Sequence, residues 1–183
     1  EKLILMHPWA EMARFTRGGG EANAVSIRIA RAATGRDDIA ICGYHGWHDW
    51  YLAANLSSNK SLNEHLLPGL STDGVPKNLK NTIHPFSYND IDKLKEIISN
   101  HKLAAIKMEV ERNIPPQSGF LEQIRYLCNK NNIILIFDEC TSGFRETFGG
   151  LHKKYGIEPD MAMFGKALGN GYVINAVLGK RSI

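Results

Sequence analysis

The chain has 183 residues, 43% apolar and 22% charged, with a formal net charge of +3. That is the composition of an ordinary globular domain long enough to bury a real core. Lys and Arg are spread along the sequence rather than gathered into a basic face, which argues against nucleic acid as a partner, and no apolar run is long enough to span a bilayer.

The N-terminus, Glu1-Lys2-Leu3-Ile4-Leu5-Met6-His7-Pro8, has no initiator Met, and its apolar run is too short for a secretion signal. From Glu21 to Ala33 the residues Ala22, Val25, Ile29 and Ala32 follow helical spacing, and Gly35 suits a C-terminal cap. Ile39-Ala40-Ile41-Cys42-Gly43 reads as a short buried strand. From Leu56 to Tyr88 there is little periodicity and much Gly, Pro, Ser and Asn, the mark of a long loop that is either functional or disordered. Ile91, Leu94, Ile97 and Ile98 then share one helical face, with Asn89 or Asp90 as its cap. Ala104 to Met108 is a second strand, and Phe120, Ile124, Leu127 and Cys128 mark another helix.

Ile133-Ile134-Leu135-Ile136-Phe137 is apolar without a break, as in a strand covered on both faces. The alternation of helix and strand predicts a three-layer α/β/α sandwich around a mostly parallel sheet. Met161 to Phe164 and Ile174 to Leu178 also read as strands, but their connection is shorter than the roughly dozen residues that a parallel crossover needs. If neighbours, they are antiparallel, giving the sheet one antiparallel strand. Leu178-Gly179-Lys180-Arg181-Ser182-Ile183 reads as a strand end running onward, so both ends are expected to lie inside a larger fold.

Four places could carry chemistry. Gly18-Gly19-Gly20-Glu21-Ala22 opens the first helix, where free N–H groups favour a phosphate; the same glycines would also serve a plain flexible turn. Tyr44-His45-Gly46-Trp47-His48-Asp49 follows a strand and offers a flat aromatic face, a packing cluster, or two histidines in search of further metal ligands. Asp138-Glu139 ends the most apolar strand, either because the strand has reached solvent or because a carboxylate is aimed at a cationic nitrogen. Lys166, between Gly165 and Ala167 at another strand end, is a candidate Schiff-base lysine whose pKa burial would lower. Lys107, inside a strand, is expected to face solvent or pair with a carboxylate, and Lys153 and Lys154 to be exposed. Cys42, Cys128 and Cys140 are odd in number with no C-x-x-C pair, as in a cytoplasmic protein with reduced thiols.

Taken together, these segments resemble the class III aminotransferases. Gly18 to Ala22 is similar to their S-G-T/S-E-A phosphate loop, and Tyr44-His45-Gly46 to their aromatic-His-Gly motif. Asp138-Glu139-Cys140-Thr141-Ser142-Gly143-Phe144-Arg145 resembles D-E-V-x-[ST]-G-F-R. Pro159-Asp160, followed by Phe164-Gly165-Lys166-Ala167-Leu168-Gly169-Asn170-Gly171, resembles their lysine motif. The G-F-R ending and the Arg-rich helix from Arg28 to Arg36 look most like the glutamate-1-semialdehyde 2,1-aminomutase group. The motifs keep the family's order across nearly the whole chain.

The resemblance implies pyridoxal 5'-phosphate as cofactor and amino transfer, or a 2,1 amino shift, between a small-molecule amino donor and acceptor. Decarboxylation or racemisation on the same scaffold, or an inactive binding fragment, are the alternatives. It implies that Gly19 and Gly20 bind the phosphate, Tyr44 stacks on the pyridine ring beside His45, and Asp138 pairs with the ring nitrogen. Lys166 would be the Schiff-base lysine and proton carrier, with Glu109 a lesser site residue. It further implies that residues 1–183 are the central part of the cofactor-binding large domain, without the N-terminal segment and the small C-terminal domain. The intact protein would be a cytoplasmic homodimer whose 56–88 segment closes the site or bridges subunits. The chain departs from the family pattern at Gly20 (a hydroxyl residue), Val110 (Pro), Cys140 (aliphatic) and Asn170 (Gly).

Overall fold

A computed structural model describes residues 1–63, 65 and 70–183. The part of the 56–88 segment at residues 64 and 66–69 lies outside the described residues.

Seven strands, β1 (Met12–Thr16), β2 (Asp38–Cys42), β3 (Ile83–Pro85), β4 (Leu103–Met108), β5 (Ile134–Glu139), β6 (Met161–Phe164) and β7 (Asn175–Gly179), form one sheet in the order β1-β7-β6-β5-β4-β2-β3. The pairs β2–β3, β2–β4, β4–β5 and β5–β6 are parallel. β7 is antiparallel to both of its neighbours, β6 and β1. The short connection from Phe164 to Asn175 holds one 3-10 turn, Lys166–Leu168, and no crossover helix. The expected fold, with its one antiparallel strand, is the observed one.

The helices are α1 (Lys2–Met6), α2 (Gly19–Thr34), α3 (Asp49–Leu52), α4 (Ile91–Asn100), α5 (Phe120–Asn131) and α6 (His152–Tyr155). Strand alternation sends side chains to two separate cores. Ile106, Leu135, Phe137 and Phe164 pack with Leu94 and Ile97 of α4 and Phe120 and Ile124 of α5. Ile41, Ile136 and Met163 pack with Ala22, Ile27 and Ala30 of α2. Helix α2 ends at Gly35, whose left-handed φ of 64° is the ordinary use of glycine at that position. Asp90 caps α4 by accepting from Lys93 N–H.

This parity fixes the acidic pair at the end of β5. Asp138 follows Ile134 and Ile136 to the α2 face, and Glu139 faces the other core. Glu139 is fully buried and structural: it accepts from Ser142 Oγ at 2.7 Å, Leu151 N–H at 2.8 Å, His152 N–H at 2.8 Å and His152 Nδ1–H at 2.7 Å. Burial pushes its pKa up, but these donors together hold the carboxyl below its ordinary range.

Candidate active site

The C-terminal ends of β5 and β6, the start of β7 and the N-terminus of α2 enclose a cleft of about 380 Å³, lined among others by Gly19, Gly20, Tyr44, Asp138 and Lys166. Ligands gather at this end of open α/β sheets.

Helix α2 presents its first turn to the cleft, with Gly18 as N-cap in an extended conformation. The glycines there admit a close approach. A Cβ on Gly19 would meet Cys140 Sγ at 3.0 Å, and one on Gly20 would meet the His48 imidazole at 2.8 Å. His48 therefore takes up the room a hydroxyl residue at position 20 would need. Asn23, one turn on, lines the cleft and donates to Gly19 C=O at 3.0 Å, while its own Oδ1 is buried without a partner among the described residues.

Asp138 forms the floor, only 4% exposed. Its Oδ2 accepts from His45 Nδ1–H at 2.8 Å and its Oδ1 from Cys140 N–H at 3.1 Å. Burial drives its pKa upward, yet the His45 bond, the charge of Lys107 and the Cys140 amide outweigh burial and leave it below the usual carboxylate range. Asp138 is thus a buried anion on the floor of the cleft, with both of its oxygens hydrogen-bonded.

His45 and Glu109 stand behind the lining rather than in it. His45 is fully buried against Trp50 and Tyr51, its Nε2 without a partner among the described residues. Glu109 Oε2 accepts from Tyr44 N–H at 3.1 Å and sits beside Arg112 Nη1 at 3.4 Å. It lines a separate, smaller cleft of about 190 Å³. The cause is the turn at Gly43 (φ 109°), which brings the backbone down onto the Glu109 carboxylate and leaves only the Tyr44 side chain forward.

Lys166 is the only lysine among the described residues lining the main cleft. Its φ is 44°, a left-handed conformation that costs a non-glycine residue on the order of 1 kcal/mol and is common at functional sites. Nζ donates to Thr141 Oγ1 at 2.6 Å. The expected desolvation is absent: Lys166 is exposed, because it rides on a turn at the mouth of the cleft rather than in the strand. For Lys107 the solvent-facing expectation is overturned in the opposite sense. It is fully buried under α2, because a central strand is covered on both faces. Lys153 and Lys154 are exposed.

The donor set suits pyridoxal phosphate. One cleft holds a glycine-lined helix N-terminus for a dianion, an aromatic wall, a buried carboxylate and a primary amine, with Asn23, whose Oδ1 has no partner among the described residues, in its lining. The whole chain, residues 1–183, matches the family described as aminotransferase class-III.

The chain belongs to the class III aminotransferases.

Among class III relatives, it is 39% identical over 191 residues to the 3-aminobutyryl-CoA aminotransferase of Cloacimonas acidaminovorans, covering 98% of this chain and 41% of that protein. It is also 39% identical over 189 residues to the glutamate-1-semialdehyde 2,1-aminomutase of Methanococcus maripaludis, covering 99% of this chain and 43% of that protein. A solved omega-transaminase from Sphaerobacter thermophilus superposes with a TM-score of 0.84 at 32% identity, over 98% of this chain and 43% of that one. The chain therefore spans about two fifths of the length of these relatives.

Within this cleft the structure adds Asn23 and Asn175, which the sequence motifs did not single out, and gives places to His48 and Thr141, which lie inside them. Asn175, at the start of β7, donates to Arg17 C=O at 2.7 Å and closes the cleft beside Cys140. Thr141 meets Lys166, and Asn23 and His48 flank the glycines. The paired histidines His45 and His48 form no metal site: one bonds Asp138 and the other packs on Gly20. Among the described residues one cluster of metal-donor groups stands out, Asp38, His84 and His101, at the opposite end of the sheet. Its two imidazoles lie 3.7 Å apart, tilted by 31°, beside the Asp38 carboxylate. No helix among the described residues is long and apolar enough to cross a membrane.

Proposed function

We propose that the intact protein is a pyridoxal phosphate-dependent aminotransferase or 2,1-aminomutase acting on a small amino or oxo substrate. The observation that carries this reading is the convergence of Gly19, Gly20, Tyr44, Asp138 and Lys166 on one cleft. The activities for which the relatives are named, those of an aminotransferase and an aminomutase, support amino transfer as the chemistry.

In this reading Gly19 and Gly20 bind the phosphate through backbone N–H groups at the helix N-terminus. Tyr44 holds one face of the ring, with Glu109 fixing its backbone from behind. Asp138, kept anionic and oriented by His45, pairs with the cationic ring nitrogen. Lys166 holds the cofactor through its amine and, once freed by substrate, carries a proton at Nζ, with Thr141 Oγ1 as its resting partner. Pyridoxal phosphate, when bound, supplies the electron sink; the protein supplies placement and charge. We propose that the protein works as a cytoplasmic homodimer, with the 56–88 segment near the subunit boundary.

The test is borohydride reduction of the intact protein loaded with pyridoxal phosphate, followed by peptide mapping. The label is expected on Lys166, and Lys166→Ala should remove the reducible attachment while the fold is kept. A label fixed elsewhere in the Ala variant, with activity retained, overturns the assignment.

A further inference from the structure

Lys107 is a fully buried lysine near the cleft that the proposed chemistry leaves unused. It sits in the middle of β4, fully buried, on the face that α2 covers. Nζ donates to Ser26 Oγ at 3.1 Å and lies 3.4 Å from Met163 Sδ. Its neighbours in contact are thus a hydroxyl and a thioether, neither of which neutralises an ammonium. An aliphatic side chain would fill the same space without the desolvation cost of a buried charge.

The charge that faces it is Asp138. In the sheet register Lys107 pairs with Ile136, two residues before Asp138 on the same face of the adjacent strand. The influence is mutual: burial pushes the Lys107 ammonium down to about 8 against the pull of Asp138, and the Lys107 charge in turn helps hold Asp138 anionic. The other titratable groups around this space are His45, whose charge also helps hold Asp138 anionic, and the Cys140 thiol. His45 reaches Asp138 from the loop after β2, and the Cys140 thiol is pushed up to about 11 by burial and stays neutral. Ser26 on α2 and Met163 on β6 are uncharged. Glu109, two residues further along β4, is raised by burial and turned toward the Tyr44 backbone.

We propose that Lys107 is a positioning residue for cofactor loading: its ammonium balances Asp138 before the cofactor binds, and it releases its proton when a cationic ring nitrogen takes over that carboxylate. This rests on the reading of Asp138 as the ring-nitrogen partner. One carboxylate cannot balance two buried cations, so one proton must leave, and Nζ loses it to solvent. The neutral amine keeps an N–H for Ser26 Oγ, which itself donates to Asn23 C=O at 2.7 Å, so the packing survives the change. Cofactor binding is then coupled to pH through a side chain that does not line the cleft.

The test uses the full-length protein in a Lys166→Ala background, which removes covalent attachment and its own proton. Binding of pyridoxal phosphate is measured by calorimetry from pH 7 to 9 in buffers of different ionisation enthalpy, with Lys107 and with Lys107→Met. The ligand's own titrations cancel in the difference. The Lys107 protein is expected to release between about half a proton and one proton more than the Met variant near pH 7.5, and its relative affinity to rise by up to about tenfold per pH unit below 8. Equal proton counts would leave Lys107 a packing residue and overturn the proposal. No binding of pyridoxal phosphate to either protein would instead sink the cofactor reading itself, and this inference with it. If Lys107→Met does not fold, carbon-13 lysine NMR of the Lys166→Ala protein decides. One lysine titrating near 8 must move to lower pH when pyridoxal phosphate is added, and an unmoved titration rejects the coupling.

Discussion

His45 Nδ1 donates to Asp138 Oδ2 across 2.8 Å, with the imidazole fully buried and the carboxylate nearly so. The bond aims Asp138, because it occupies one oxygen and the Cys140 amide occupies the other. Replacing His45 by Phe should keep the packing against Trp50 and Tyr51 but strand a buried carboxylate. The expected loss is roughly 2–3 kcal/mol in urea denaturation at pH 7. Because the folded pKa of Asp138 lies below its unfolded value, its contribution is in full force above about pH 4 and fades as pH falls through the folded value. The gap between wild type and variant should therefore narrow at acid pH; a constant gap would mean that the loss is packing alone.

Asp138→Asn tests charge rather than shape. The amide can fill the same place but cannot hold a cationic nitrogen by charge pairing. The full-length variant should still bind pyridoxal phosphate and lose turnover by ~100-fold or more. Wild-type turnover in that variant would remove Asp138 from its assigned role.

Gly20→Ala should drive a methyl group into the His48 ring, whose nearest atoms lie 2.8 Å from that position. Either the helix N-terminus or the His48 ring beside it must shift, and cofactor affinity is expected to fall by about tenfold or more, a little over 1 kcal/mol. The double variant Gly20→Ser with His48→Ala should regain most of it. Equal affinity in the single variant would show that the phosphate does not sit on this turn.

Lys107 also leaves a signature in stability. Its folded pKa of about 8 lies below the ordinary lysine value, so above pH 8 the unfolded chain binds more protons than the folded one. Stability should rise between pH 8 and 10.5 by roughly 3 kcal/mol relative to Lys107→Met, whose curve lacks this component. Parallel pH profiles for the two proteins would show that the lysine is not desolvated in solution.

The sequence carried the central strands openly, because strands covered on both faces are written as unbroken apolar runs such as Ile133 to Phe137. It did not carry β1, Met-Ala-Arg-Phe-Thr, an edge strand with four of five residues exposed. Its strand character comes from pairing with β7, Met12 with Gly179 through Thr16 with Asn175. Strand β3 is three residues long and ends in Pro85, too little for any periodicity. In the cleft, Asp138 and Lys166 were legible because a charge at a strand end is conspicuous. Asn23, Thr141 and Asn175 were not, since an ordinary polar residue gains a role only from what the fold sets across from it. The solvent-facing expectation for Lys107 failed because alternation reports two faces of a strand and not whether a helix covers each one.

The reversal of direction at β7 has an evolutionary side. In the parallel part of the sheet, changing what reaches the cleft from a given strand means altering a connection that also carries a helix and its share of the core. Between β6 and β7 the chain enters and leaves at the same end of the sheet, so Lys166 and Asn175 stand at the two ends of one short connection whose Tyr172 and Val173 are 85% and 75% exposed. The side chains of Tyr172 and Val173 can thus change at little expense to folding while remaining in view of whatever occupies the cleft. That makes this loop the cheapest place for related chains to diverge in what they accept.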